Sequence, residues 1–153
     1  MSSKHILIVE DEAYTAVMLL RVLNDHLGEG CQAHICPLAD VALFRLQREP
    51  FDLIVTDICM PGMSGLELVY QVRQISPQTP ILVITAYGSP ELMERVQQLG
   101  ADYLLKPFEL REFVTTVERI LDKAEQEHVE HRGAVSKRTT GTPSAQGNND
   151  RCQ

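Results

Sequence analysis

Several polar side chains stand directly beyond short apolar runs. Glu10-Asp11-Glu12 follows Ile6-Leu-Ile-Val9, Asp57 closes the run that begins Leu53-Ile-Val55, Thr85 follows Ile81-Leu-Val-Ile84, and Lys106 follows Tyr103-Leu-Leu105. Carboxylates gathered in one place repel one another and raise their pKa values unless a cation sits among them. An oxygen-only set of Glu10, Asp11 and Asp57 suits Mg2+ (or Mn2+), a hard cation that keeps several waters and also accepts phosphate oxygens. A carboxylate acceptor, such a metal and a lysine suffice for phosphoryl transfer, which asks for positioning and charge stabilisation more than covalent work. A plainer role is open for the first group, whose acids also suit the positive end of a following helix, and Glu12 is assigned to it. Asp57 is harder to explain that way, because the turn residues Met60-Pro61-Gly62 just after it present its carboxylate at a strand terminus. Taken alone, Lys106 reads as a solvated lysine and Thr85 as a strand-end hydroxyl; taken together they favour chemistry.

The elements that must position these groups follow from the apolar pattern. The runs are continuous rather than alternating, as in strands buried on both faces, and a weaker strand is expected over Gln32–Cys36. Helical spacing fills the intervals. The first helix carries Ala16, Val17, Leu20, Leu23 and Leu27 on one face and stops at Gly28 and Gly30. A second, from Asp40 to Gln47, carries Val41, Leu43, Phe44 and Leu46. Ser64 serves as N-cap for a third that places Leu66, Val69, Tyr70 and Val72 together. Ser89-Pro90-Glu91 starts a fourth, closed by Gly100, and a fifth bears Leu110, Val114, Val117 and Leu121. Five strands alternating with five helices predict a doubly wound α/β domain with a parallel sheet and helices on both faces. In such a sheet the binding site lies beyond the carboxyl ends of the strands, where the polar residues above converge.

With 153 residues, 44% apolar and 23% charged, one soluble domain plus a tail is expected. The apolar spacing fails after Lys123. Residues 1–123 therefore form the domain, and 124–153 a helical extension followed by a polar tail that is expected to be disordered from about Arg132. Thr139–Pro143 reads as a bland terminus, a tether or the start of a linker. No second apolar pattern follows, so an output domain is not expected in this chain. A net charge of −7 argues against a broad basic surface for nucleic acid. No leader and no apolar run of about 18 residues are found, and the four cysteines form no close pair, so a cytoplasmic, reduced protein that avoids membranes is expected.

The segments Ile-Leu-Ile-Val-Glu-Asp-Glu (6–12), Asp-Leu-Ile-Val-Thr-Asp-Ile-Cys-Met-Pro-Gly-Met-Ser-Gly (52–65), Ile-Thr-Ala (84–86) and Lys106-Pro107 resemble, in order and spacing over residues 4–123, the CheY-like receiver domain of two-component response regulators. The resemblance implies a flavodoxin-like strand order 2-1-3-4-5. It implies that Asp57 accepts a phosphoryl group from a sensor histidine kinase or phosphotransfer protein, with the metal held by Asp57, Asp11, Glu10 and the backbone carbonyl of Cys59. Glu10 has one methylene more than the aspartate often found there, which favours coordination through water. Lys106 would pair with the phosphoryl oxygens and Thr85 would hydrogen-bond one of them. The Lys106-Pro107 bond would be cis. Tyr103 would rotate as a switch, although a half-buried aromatic with its hydroxyl in water is an equal reading of that residue. Cys59 and Tyr87 would tune hydrolysis of the phosphate. The output surface would be the fourth helix, fifth strand and fifth helix, serving an unidentified downstream protein or a phosphorylation-dependent homodimer. Leu92, Val96, Leu99, Phe113 and Ile120 are there either as core or as a docking patch.

Three rivals are weaker. A dinucleotide- or flavin-binding protein needs a glycine-rich turn after the first strand, where this chain has three acids. An aspartyl-phosphate hydrolase wants a second acid two residues after the nucleophile, where Cys59 stands; the chain is thus expected not to be an enzyme beyond assisting its own phosphorylation and dephosphorylation. An interaction module without phosphorylation would not need the complete set of chemical residues.

Overall fold

A computed structural model describes residues 3–138. Strand β1 (Lys4–Val9) leads into helix α1 (Ala13–Leu27) and a single 3-10 turn, followed by β2 (Cys31–Cys36), α2 (Ala39–Leu46), β3 (Leu53–Asp57), α3 (Gly65–Ile75), β4 (Ile81–Thr85), α4 (Pro90–Gln98), β5 (Asp102–Leu105) and α5 (Leu110–Arg138). All neighbouring strands are parallel, in the order β2-β1-β3-β4-β5. The chain runs outward from β1 to β2, then returns to the other side of β1 for β3, and this reversal opens a crevice at the carboxyl ends of β1 and β3.

Alternate side chains of each strand enter separate cores. Ile6, Ile8, Val55, Leu82 and Ile84 meet α1 and α5, whereas Leu7, Val9, Ile54, Ile81 and Val83 meet α2, α3 and α4. Because both faces are covered, nearly every position of β1, β3 and β4 must be apolar. Complete burial of each such side chain contributes on the order of 1.5–3 kcal/mol. Cys31 and Cys36, an odd number of residues apart, are buried in opposite cores.

Helix ends follow their local chemistry. Ser64 and Ser89 accept hydrogen bonds from the backbone N–H of Glu67 and Leu92, capping α3 and α4, with Pro90 in the first turn of α4. Gly28 ends α1 at φ 57° and Gly100 follows α4 at φ 67°, a region open to glycine at little cost.

Helix faces depart from the predicted stripes. In α1, Leu19 and Val22 are buried while Val17 is exposed; apolar residues nearly surround this helix, so spacing alone does not select its inner face. In α2 the small Ala39 and Ala42 are buried, and Val41 and Phe44 face out, with the Arg48 guanidinium 4.1 Å from the centre of the Phe44 ring. Tyr70 of α3 and Leu110 of α5 are likewise exposed. Phe113, Val96 and Ile120 are core, and Leu92 and Leu99 are partly buried. The docking-patch alternative for the three buried residues is thereby excluded.

The strands and the helices as far as Leu121 form one unit, and residues from Asp122 belong to a second. Taken by itself, the second is helical to Arg138, and its residues up to Ala134 are exposed apart from the half-buried Ala124. Helix therefore covers residues 132–138, which the polar composition assigns to the tail. A lone Gly133 costs only about 1 kcal/mol relative to alanine in a helix, and the chain meets no proline before Pro143. Thr139–Gln153, including the Thr139–Pro143 segment and Cys152, lies outside the described residues. No helix among the described residues is long and apolar enough to cross a membrane.

Near the amino end of β1, His5 Nδ1 lies 3.4 Å from Nε2 of His34 in β2, and the His34 ring meets Phe51 edge-on. Burial, together with the nearby Arg45 and His5, pushes the His34 pKa below 6.5, against the opposing pull of Glu49. Below its ordinary pKa the unfolded chain then takes up this proton more readily than the native one, so stability falls as pH drops. We expect the thermal midpoint of the wild type, taken relative to that of His34→Gln, to decline between pH 7.5 and 5.5, as read by circular dichroism; parallel curves would remove His34 as a contributor.

Candidate functional site

The carboxyl ends of β1, β3, β4 and β5 deliver the polar residues to one place because register holds these strands in step. Asp57 pairs with Ile84, and Thr85 pairs with Leu105. Asp57, the last residue of β3, is 8% exposed. Its Oδ2 accepts from Lys106 Nζ at 2.7 Å and its Oδ1 accepts from the Cys59 N–H at 3.1 Å. Lys106 follows β5, donates its own N–H to the Thr85 carbonyl at 2.9 Å, and precedes the cis bond to Pro107.

Glu10 follows β1, which is fixed there by the Glu10 N–H bonding the Cys36 carbonyl at 3.1 Å. Its side chain is buried, with Oε1 3.8 Å from Lys106 Nζ, and its Oε2 has no hydrogen-bond partner. Burial raises its carboxyl to about pH 7; Lys106 opposes the rise, while Asp57 and Asp11 add to it. Burial works in the same way against the charge of Lys106. The hydrogen bond and charge of Asp57, with the charge of Glu10, outweigh that effect and leave the ammonium above its ordinary pKa.

Asp11 is exposed beside Glu10. Glu12 occupies the N-cap position of α1 without bonding the helix backbone; its carboxylate accepts from the Thr15 hydroxyl instead. Glu10 and Asp57 share the Lys106 ammonium, and Asp11 adds its negative charge beside Glu10. The orphaned, buried Glu10 oxygen is the feature that fits a hard divalent cation with oxygen ligands.

Thr85 is fully buried at the end of β4, and its Oγ1 accepts from the Tyr87 N–H at 3.0 Å. The next residues, Ala86, Tyr87 and Gly88, are exposed, Tyr87 at 69%. Tyr103 on β5 lies at the edge of exposure. The Cys59 thiol is exposed.

Two residues beside the site and one at the opposite end of the sheet escape sequence reasoning. Thr56, a buried hydroxyl in an otherwise apolar strand, donates to the Asp57 carbonyl, and its polarity within that run was the available signal. Gly65 opens α3 against the Asp57 backbone; glycine after an N-cap serine gives no such hint. Arg73 donates to the carbonyls of Leu99 and Thr79, each at 2.6 Å, and of Gly100 at 3.1 Å. Nothing local in the sequence announces that clamp.

Comparison with known proteins gives a family and a fold. Residues 6–118 match the response regulator receiver domain family. The response regulator protein FleR of Pseudomonas aeruginosa is 38% identical over 121 residues, covering 78% of this chain and 24% of FleR. The response regulator receiver protein CpdR of Brucella abortus is 34% identical over 125 residues, covering 77% of this chain and 97% of CpdR. The chain spans roughly a fifth to a half of the length of longer relatives such as FleR. A CheY-like response regulator receiver domain protein from Methanospirillum hungatei, solved by crystallography, superposes with a TM-score of 0.77 at 30% identity, covering 82% of this chain and 99% of that one.

Removing Lys106 leaves carboxylates uncompensated; losing one partner of a buried ion pair costs about 3–5 kcal/mol, and the partial exposure of Lys106 puts this pair at the lower end. We expect Lys106→Met to lose stability of that order in metal-free urea denaturation at pH 7.5, and Glu10→Gln in the same background to recover most of it. A double variant no more stable than Lys106→Met would show that carboxylate repulsion is not what the lysine relieves.

Proposed function

The chain belongs to the response regulator receiver domain family, and from that premise we propose that it is a phosphorylation switch whose acceptor is Asp57. Members of this family take phosphoryl groups from histidine kinases and bind Mg2+ at the phosphorylation site. The reading for this chain is carried by the 2.7 Å pair of Lys106 and Asp57 beside the unpartnered oxygen of Glu10.

An Asp57 carboxylate oxygen attacks the phosphorus of a phosphohistidine on the kinase or on a phosphotransfer protein. The new P–O bond forms as the P–N bond breaks, and the imidazole leaves. Asp57, Asp11, Glu10 and the Cys59 carbonyl would hold Mg2+, with Glu10 directly or through water, and the bound ion would supply neutralisation of the developing charge. Lys106 exchanges its carboxylate partner for a phosphoryl oxygen. The Thr85 hydroxyl, whose oxygen accepts from Tyr87, keeps its own proton available for another phosphoryl oxygen.

The phosphoryl group adds about −1.5 to −2 charges and three strong acceptors. Drawing Thr85 toward it pulls on the Tyr87 amide and therefore on the exposed loop before Ser89, and Tyr103 fills the space released. The signal leaves through α4, β5 and α5, where Tyr103, Leu105 and Leu110 offer exposed apolar surface. Its recipient is a downstream protein or a second phosphorylated copy of the chain. Beyond assisting its own phosphorylation and dephosphorylation, the chain catalyses nothing in this reading.

Incubation with acetyl phosphate and Mg2+ is expected to add one phosphate mass to the intact protein, and Asp57→Asn or a chelator to abolish the gain. The phosphorylated sample should sediment faster than the free one at high concentration if the surface pairs copies of the chain. An unmodified wild type would defeat the acceptor assignment, and equal sedimentation the dimer. Tyr87 stands over the entrance for water in this reading, so Tyr87→Ala should shorten the phosphoryl half-life several-fold when phosphate release is followed after donor removal; an unchanged or longer half-life would discard the shield.

A further inference from the structure

The carbonyl of Asp57 is held from two sides. Thr56, fully buried, donates its hydroxyl to it at 2.9 Å. On the other side α3 begins at Gly65, whose N–H bonds the next carbonyl, that of Ile58, at 3.0 Å. A Cβ built on Gly65 would lie 1.9 Å from the Asp57 carbonyl oxygen, 2.7 Å from its carbon and 2.8 Å from the Ile58 Cα. Every one of those atoms is backbone, so no rotamer change relieves the clash. Gly62 makes a useful contrast: it adopts φ 76° with open space around it and is needed for conformation alone. Gly65 has no positive φ and is needed for room.

Neither partner in this contact can retreat cheaply. β3 is paired on both sides, to β1 and to β4, and α3 is anchored by the buried Leu68, Val69 and Val72. An added methyl would therefore turn the Asp57–Ile58 peptide, and the turn would carry into Cys59, whose N–H holds Asp57 Oδ1.

From this geometry we infer that Gly65 and Thr56 are positioning residues that fix the direction of the Asp57 carboxylate through the backbone carbonyl behind it. The role rests on the reading of Asp57 as phosphoryl acceptor. Neither residue touches the phosphoryl group. Misplacement of a reacting atom by about 1 Å can cost as much as a hundredfold in rate, so a loss on the order of tenfold to a hundredfold is expected for Gly65→Ala and a few-fold loss for Thr56→Val, which keeps the shape and removes only the hydroxyl.

The test measures the initial rate of phosphorylation by acetyl phosphate with Mg2+, together with the backbone amide resonance of Cys59, in the wild type, Gly65→Ala, Thr56→Val and Val96→Ala. Val96 is buried in α4 away from the acceptor and supplies a destabilised control. Slowed phosphorylation and a displaced Cys59 amide in the first two variants, with both near wild type in Val96→Ala, is the expected result. Should Gly65→Ala not fold, Thr56→Val alone decides, because it adds no bulk. Rates and Cys59 resonances like those of Val96→Ala would overturn the positioning role while leaving Asp57 as acceptor. A wild type that takes no phosphate would overturn the acceptor reading and this role with it.

Discussion

The structure turns on the cost of collecting carboxylates at one point. A parallel sheet brings the carboxyl ends of its strands to one side, and here Glu10, Asp11 and Asp57 arrive there with Lys106 as the cation within ion-pair distance of two of them. Burial makes the arrangement expensive, as the raised Glu10 carboxyl shows, and it also removes the water that would otherwise weaken each charge. The two cores on either side of the sheet supply the stability that tolerates this cluster.

The fold was legible because its strands are buried on both faces. Runs such as Ile81–Ile84 have no polar alternation to confuse, and Ser64, Ser89, Gly28 and Gly100 mark helix ends by chemistry that acts within a few residues. Helix faces were less legible. Apolar residues surround α1, and α2 approaches the sheet through Ala39 and Ala42 while its larger Val41 and Phe44 face out. Size and hydrophobicity favour the larger residues for burial, whereas close approach selects the smaller ones, and only the assembled fold decides between them.

Glu10, Asp57, Thr85 and Lys106 could be expected to converge because each ends or directly follows a strand, and strand termini are where α/β sheets bind. What could not be named was the support around them. The Thr56 hydroxyl, the missing side chain of Gly65 and the reach of Arg73 act across distances that no periodicity encodes. The unpartnered oxygen of Glu10 likewise emerges only when burial and hydrogen bonding are considered together.

The Arg73 guanidinium gives the molecule a stiff pole and a compliant one. Its hydrogen bonds to Thr79, Leu99 and Gly100 tie the turn leading into β4 to the turn leading into β5, and hydrogen bonds from a charged donor are worth roughly 1.5–3 kcal/mol each. At the opposite pole α4 is held at its start by the neutral cap of Ser89, next to an exposed loop. The end of α4 near Leu99 is therefore tied down by a charged clamp, whereas its start, on the side of the candidate site, rests on a single neutral cap.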